Sequence, residues 1–169
     1  MKGPQGYATI VNIAMNVLLG LIISIAVLLY MGTFMPVPLT AEAVIGSTVS
    51  SFFVGFAVGM LLPIMDWAFA IIGALKVKNG FVQYLIIACT LGVCMGVCIT
   101  CGNAIISQIG VGGWPAVGGF IASFIGFIVL CAVALVIVFL KPVQIMAAKI
   151  SGFDPAAAMQ PDTEAEAAL

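Results

Sequence analysis

One carboxylate, Asp66, lies inside a long apolar stretch, ten residues before Lys76. At the rise of a helix it would lie roughly 15 Å from that end, near the middle of a lipid hydrocarbon layer. An ionised Asp at such a depth costs at least about 2.5–3.5 kcal/mol, and it usually faces a bundle interior or a wet cavity. Asp66 therefore indicates a proton- or cation-linked site. There are two alternatives. Asp66 is protonated and hydrogen-bonded to a neighbouring helix, or the helix boundary lies elsewhere and leaves Asp66 in a wet crevice.

Three further residues can complete such a site. Asn12 and Asn16 are four residues apart, so they share one helix face, and Asn16 nearly matches the expected depth of Asp66. Pro63 would kink its helix and free the carbonyl of Gly59, which could coordinate a small cation beside a carboxylate. The alternative is that the Asn side chains only tie helices together, at about 0.6–2 kcal/mol per bond.

Cys94, Cys98 and Cys101 follow each other at helical spacing on one face. Thiols in line can form a soft-metal site. The chain has no His to complete a ligand shell, however, and thiolates would have to form within lipid. We therefore predict that these cysteines serve as small apolar packing residues, with no metal and no cofactor. A redox or metal role is the alternative.

Two GxxxG motifs occur, at Gly55 and Gly59 and at Gly92 and Gly96. Glycines at this spacing let the backbones of two membrane helices approach closely. We predict that the motifs pack the second and third apolar segments against each other or mediate contacts between copies of the chain.

The composition is that of a membrane protein. Hydrophobic residues make up 64% of the 169 residues and charged residues 7%, with a mean hydropathy of +1.33. A soluble domain carries about 25% charged residues, so lipid must be the main solvent here. A net charge of −1 without any Arg excludes a nucleic-acid partner. Without His and with scattered titratable groups, the chain is not expected to be an enzyme.

Four apolar segments are long enough to cross a hydrocarbon layer about 30 Å thick, and in lipid they must be helices. The predicted fold is all-α, with four transmembrane helices in a domain spanning residues 1–153. The spans are predicted over residues 9–31, 47–75, 81–106 and 116–140. Residues 142–150 are predicted to form an interfacial helix, followed by an acidic, disordered tail over residues 154–169.

The positions of the lysines predict the orientation. All five fall on one side of the predicted spans: Lys2, Lys76, Lys78, Lys141 and Lys149. Cytoplasmic loops carry the excess of Lys and Arg, so both termini are predicted to be cytoplasmic, in the cell inner membrane. Tyr30 and Trp114 would lie at the opposite interface, where aromatic side chains gather.

The two halves of the chain share a motif, Ser-Phe-Phe-Val-Gly-Phe over residues 51–56 and Ser-Phe-Ile-Gly-Phe over residues 123–127. Both halves would be hairpins of the same orientation, which makes a parallel repeat. Two further segments are similar to the two helices of a known two-helix unit. They are residues 94–103, which end in Asn, and residues 120–143, which carry Lys-Pro near their end. Over about residues 9–152 the chain resembles an uncharacterised bacterial family of small membrane proteins built from a two-helix unit, although it lacks that family's Arg pairs. The resemblance implies architecture only.

The sequence thus predicts a small transport or channel protein for an ion or small solute, centred on a buried Asp66. Four helices leave little room for a pore within a single chain, so a homo-oligomer is expected. The alternative is a structural or accessory subunit that packs against a partner membrane protein and has no substrate. The lipid bilayer is the partner in either case.

Overall fold

The structure is a computed structural model that describes residues 2–34 and 40–153. Within these residues all regular structure is helical, as predicted. There are four helices: α1 (Gly3–Phe34), α2 (Ala41–Leu61), α3 (Ile64–Ala74) and α4 (Gly80–Ser151). Their number matches the prediction, but their bounds differ. The predicted acidic tail and most of the proline-containing turn after the first span lie outside the described residues.

Helix α4 folds back on itself at Gly113, whose φ of 62° and ψ of −156° are not helical. This backbone region is open almost only to glycine. We call residues 80–112 the first arm of α4 and residues 114–151 its second arm. The arms pack antiparallel, and the Tyr84 hydroxyl donates to the carbonyl of Ile137 at 2.6 Å. The predicted break between the third and fourth spans is therefore found at Gly113.

Three helices have the length and apolar composition of membrane spans: α1 over Gly3–Thr33, α2 over Ala41–Leu61, and α4 over Gly80–Ser151. Each arm of α4 is longer than the about 20 residues that one crossing requires. Helix α3 is apolar but short. The chain thus has the architecture of a polytopic helical membrane protein, while the parallel repeat and the orientation of the termini stay predictions.

The predicted second span, residues 47–75, is not one kinked helix. Helix α2 ends at Leu61, Leu62 is extended with φ −98° and ψ 131°, and α3 begins after Pro63. Proline has no N–H to continue the helical ladder and disfavours helical backbone in the residue before it. The prediction of a kink is therefore corrected to a complete break.

The predicted separate helix over residues 142–150 is also corrected. Helix α4 runs through Pro142 without interruption to Ser151. Val143 and Ala147 are buried, so this segment packs within the bundle over its last turns. Packing against neighbouring helices compensates for the donor that a proline removes. The position of these turns relative to a membrane surface stays a prediction.

The core runs along the middle of the bundle and is built from α1 and both arms of α4, with Ile64 of α3 packed into it. Its largest fully buried apolar side chains are Leu19, Ile23, Ile99 and Val136. Small residues occupy the closest approach between the arms, where a Cβ on Gly92 or Gly96 would overlap the backbone of the second arm. Close backbone contact of this kind replaces the hydrophobic effect, which does not drive helix association in lipid.

Helices α1 and α2 meet along a contact with a strict four-residue register, which we call the seam. Four facing pairs make up the seam: Asn12 with Gly59, Asn16 with Gly55, Gly20 with Ser51, and Ser24 with Ser47. Each step goes four residues forward on α1 and four back on α2, as expected of antiparallel helices. Every member of the seam is either small or polar. From Asn12 to Ser24 the seam extends about 18 Å along α1, more than half of a hydrocarbon layer.

Candidate functional site

A cavity of about 300 Å³ lies beside the break between α2 and α3. We call it the first cavity. The four residues predicted to form a polar site all line it: Asn12, Asn16, Pro63 and Asp66. Tyr7 and Gln144 add further polar atoms to the wall. The structure thus brings the predicted residues together from α1, from α3 and from the break that precedes α3, and their role in binding an ion stays a prediction.

Asp66 lies in the first turn of α3, and its side chain is exposed in the isolated chain. The prediction of a continuous span around Asp66 is therefore wrong, and the burial of its carboxylate within a membrane stays a prediction. The physical reason is the break at Pro63, which turns a mid-helix position into a helix N-terminus. A carboxylate is favoured there by the helix dipole, by about 0.3–1 kcal/mol. No hydrogen bond or ion pair joins Asp66 to another residue of the described ranges, so its carboxylate is available to a ligand.

Asn16 is the most deeply buried polar residue of the first cavity, with 1% of its surface exposed. Its Nδ2 donates to the Asn12 carbonyl at 2.8 Å and to Asn12 Oδ1 at 2.5 Å. Asn16 Oδ1 and Asn12 Nδ2 are buried and have no partner within residues 2–34 and 40–153. A buried polar group left unpaired costs about 1–3 kcal/mol. Such a pair of groups beside a cavity is an arrangement that a bound ligand would stabilise.

Gly55 and Gly59 make room for these amides. A Cβ on Gly55 would overlap Asn16 Oδ1, and a Cβ on Gly59 would overlap Asn12 Oδ1. The predicted pairing of the two GxxxG motifs is therefore wrong. Gly55 and Gly59 face α1, apart from a 3.4 Å approach between a Cβ on Gly55 and the Met95 methyl group.

The other motif packs the two arms of α4 together. A Cβ on Gly92 would overlap the backbone of Val133, and one on Gly96 would overlap that of Val129. The two GxxxG motifs therefore serve two different helix contacts, each within one hairpin of the chain.

The break at Pro63 adds main-chain oxygens to the same place. The last carbonyls of a helix lack partners within that helix. Here the N–H of Leu62 donates to Val58 and that of Ile64 donates to Leu62, both at 2.9 Å, and Pro63 has no N–H to offer Gly59. The negative end of α2 therefore lies next to the carboxylate of Asp66. Carboxylate, amide and main-chain oxygens are the ligands that hard cations use.

The cysteine face of the first arm is only half buried. Cys94 packs against the core, whereas Cys98 and Cys101 lie beside the more deeply buried face that carries Gly92 and Ile99. All five cysteines are free thiols. Within the described part of the chain, no three His, Cys, Asp or Glu side chains group together as metal ligands would.

A second polar cluster was not predicted. It lines another cavity, of about 340 Å³, further along the seam, which we call the second cavity. Asn103 of the first arm connects two serines of α2: it accepts from Ser50 at 2.6 Å and donates to Ser51 at 2.7 Å. Ser47 donates to Ser24 across the seam at 2.9 Å. The four-residue spacing shared by Asn12, Asn16, Gly20 and Ser24 was the signal in the sequence that could have found it.

The fold and the site define a class: an all-helical chain with spans of membrane length, an interrupted second segment and a polar cavity at the interruption. Comparisons with protein-family models, with curated proteins and with solved structures return no match. The resemblance to the family of two-helix membrane proteins stays a prediction.

Proposed function

We propose that this protein binds a small monovalent cation, either a proton or an alkali-metal ion, in the first cavity and moves it across the membrane. Asp66 carries the exchangeable charge, and Asn16 Oδ1 is a neutral ligand or hydrogen-bond acceptor beside it. The observation that carries the proposal is that one cavity is lined both by an unpaired carboxylate and by Asn16, a buried residue whose amide oxygen has no partner among the described residues. Transporters commonly place their ion sites at such breaks in membrane helices.

Charge balance favours a cation over an anion. The first cavity is lined by Asp66 and by no Lys among the described residues. A carboxylate without a protein counter-ion attracts a cation and repels an anion, and charged side chains within membrane segments commonly mark ion pathways. The carbonyls at the end of α2 add negative potential at the same point. An anionic solute would meet repulsion from both groups.

A second candidate function is that of an accessory subunit that packs against partner helices or other copies of the chain. The second arm of α4 favours it, because Gly118, Gly119 and Gly126 lie on its surface with open space around them. Exposed glycines of this kind permit close helix contact in a membrane. An oligomer formed through this surface is compatible with transport.

Flux through proteoliposomes tests the leading proposal. Purified wild-type protein is expected to dissipate a pH gradient or a gradient of Na⁺ or K⁺, and Asp66→Asn is expected to reduce that flux to the level of empty liposomes. The Asn side chain keeps the shape of Asp but cannot exchange a charge.

The matched control is Glu42→Gln, which neutralises another carboxylate, in the first turn of α2 and outside the first cavity. This variant should retain full flux. Equal flux in wild type and Asp66→Asn would contradict the proposal, and so would the absence of any cation flux from folded wild-type protein. In the latter case the accessory function becomes the leading candidate.

A further inference from the structure

The second cavity has a different chemistry from the first. Seven hydrogen-bonding side chains line it, and all of them are neutral: Ser24, Ser47, Ser50, Ser51, Asn103, Ser107 and Gln108. Hydroxyl and amide oxygens coordinate small cations, but without a charged group they hold them weakly. Weak neutral sites suit a vestibule, because an ion that moves through a protein must be able to leave each site it enters.

The two cavities lie on the same seam, one after the other. Asn12 and Asn16 line the first cavity and Ser24 lines the second, at successive four-residue positions of α1. Across from them, Gly59 lines the first cavity while Ser47 and Ser51 line the second. Gly20 of α1 and Gly55 of α2 lie between the two groups along the seam and line neither cavity. The helices are close here, since a Cβ on Gly20 would lie 3.2 Å from the Thr48 carbonyl oxygen.

Three apolar side chains occupy the level between the cavities. Leu19 lines the first cavity and Ile23 the second, so the cavities are about one helical turn, roughly 6 Å, apart along α1. Ile99, which is fully buried, lies midway between Met95 of the first cavity and Asn103 of the second. These three side chains form an apolar constriction, a feature that gates many channels.

We infer that the seam is the path of the transported cation, with the second cavity as its vestibule on the other side of the constriction formed by Leu19, Ile23 and Ile99. The inference rests on the proposed function, since it assigns a path to the ion that Asp66 binds. The second cavity binds the same small cation, which is partly hydrated there and is held by neutral oxygens.

Two variants test the path in opposite directions. Ile23→Ala shortens one side chain of the constriction and is expected to raise the cation flux several-fold. Ser50→Leu fills the vestibule from a half-buried position of α2 and is expected to reduce the flux to near that of empty liposomes. Cation binding at the first cavity, measured as the rise in melting temperature on adding Na⁺ or K⁺, should be unchanged in Ser50→Leu.

Val136→Ala is the matched control for Ile23→Ala, because it truncates a fully buried residue that lines neither cavity. It should leave the flux at the wild-type level. Ile23→Ala is expected to change the flux in the opposite direction from a loss of the site, and its comparison with Val136→Ala separates an opened path from a general loosening of the bundle, so the test stands even if Ser50→Leu folds poorly.

The outcomes separate the two proposals. Wild-type flux that requires Asp66 but is unaffected by both Ile23→Ala and Ser50→Leu overturns the path and leaves the proposed function standing. A wild-type protein that neither binds nor moves a cation overturns the proposed function and the path together. Raised flux in Val136→Ala equal to that in Ile23→Ala also overturns the path, since it would show a general loosening of the bundle.

Discussion

At the scale of single residues, the first cavity depends on polar side chains of α1 that face glycines of α2. Asn12 and Asn16 fit against α2 only because their counterparts are Gly59 and Gly55. The amide oxygen of Asn16 is left without a partner within the described residues, and the close approach of Gly55 leaves no room there for a side chain that could donate to it. Buried polar groups in proteins are almost always paired. The unpaired oxygen is therefore a cost that a ligand would remove.

Gly55→Ala tests this packing. The added methyl group would overlap Asn16 Oδ1, and overpacking of this kind costs about 1–3 kcal/mol. We expect a lower melting temperature in detergent, measured by circular dichroism, and recovery of most of the loss in the double variant with Asn16→Ala. The two sites should therefore be strongly non-additive.

Gly126→Ala is the control, because nothing lies within 4 Å of a Cβ at that position. It should leave the melting temperature unchanged or slightly higher. Equal destabilisation by Gly55→Ala with and without Asn16→Ala would show that the contact with Asn16 is not the reason for glycine at position 55.

At the scale of helices, two prolines in similar apolar surroundings have opposite effects. Pro63 ends one helix and starts another, whereas α4 continues through Pro142. The sequence predicts that each proline disturbs its helix, but the outcome depends on how neighbouring helices pack around the freed groups. Val143 and Ala147 are buried directly after Pro142. That long-range packing was not readable from either local sequence.

The helical fold, the membrane character and the break at Gly113 could be predicted, since they follow from composition and from local turn chemistry. The convergence of Asn16 and Asp66 on one cavity was predicted from helix depth, but for an unbroken helix. The predicted repeat is a further case, because matching residues of the two halves pack differently. Ser51 and Gly55 of the first motif are buried against α1, while Ser123 and Gly126 of the second are exposed.

Gly113→Ala tests the element on which the hairpin of α4 depends. An alanine at φ 62° and ψ −156° is strained by of order 1–3 kcal/mol. We expect a lower melting temperature and weaker protection of the two arms in hydrogen exchange.

Gly110→Ala, three residues earlier, lies in regular helix with open space around its Cβ and should behave as wild type. Identical stability of the two variants would contradict a fold-back that requires glycine at position 113.

At the scale of the whole molecule, the start of α1 and the end of α4 meet on one side of the bundle. The rings of Tyr7 and Phe153 lie 5.8 Å apart, so the start of α1 and the end of α4 are neighbours. This arrangement is compatible with two termini on one face of the membrane, and their cytoplasmic location stays a prediction from the lysines. The first cavity lies toward this end, since Tyr7 lines it, and the second lies toward the far end of α1, where Met31 lines it. Two cavities toward opposite ends of one bundle are what a transmembrane path requires.

The cation site depends above all on Asp66 and Asn16, which we propose hold the same cation. The most direct test is the initial rate of cation flux into proteoliposomes for wild type, Asp66→Asn, Asn16→Leu and the double variant. Leu has nearly the shape of Asn but no oxygen. It removes the unpaired Oδ1 but also the donor to Asn12 Oδ1, so the melting temperature of each variant is measured beside the flux, and only folded protein is compared. We predict that each single variant abolishes the flux and that the double variant is no worse than either. Substantial flux in Asn16→Leu, with Asp66→Asn inactive, would contradict the shared site.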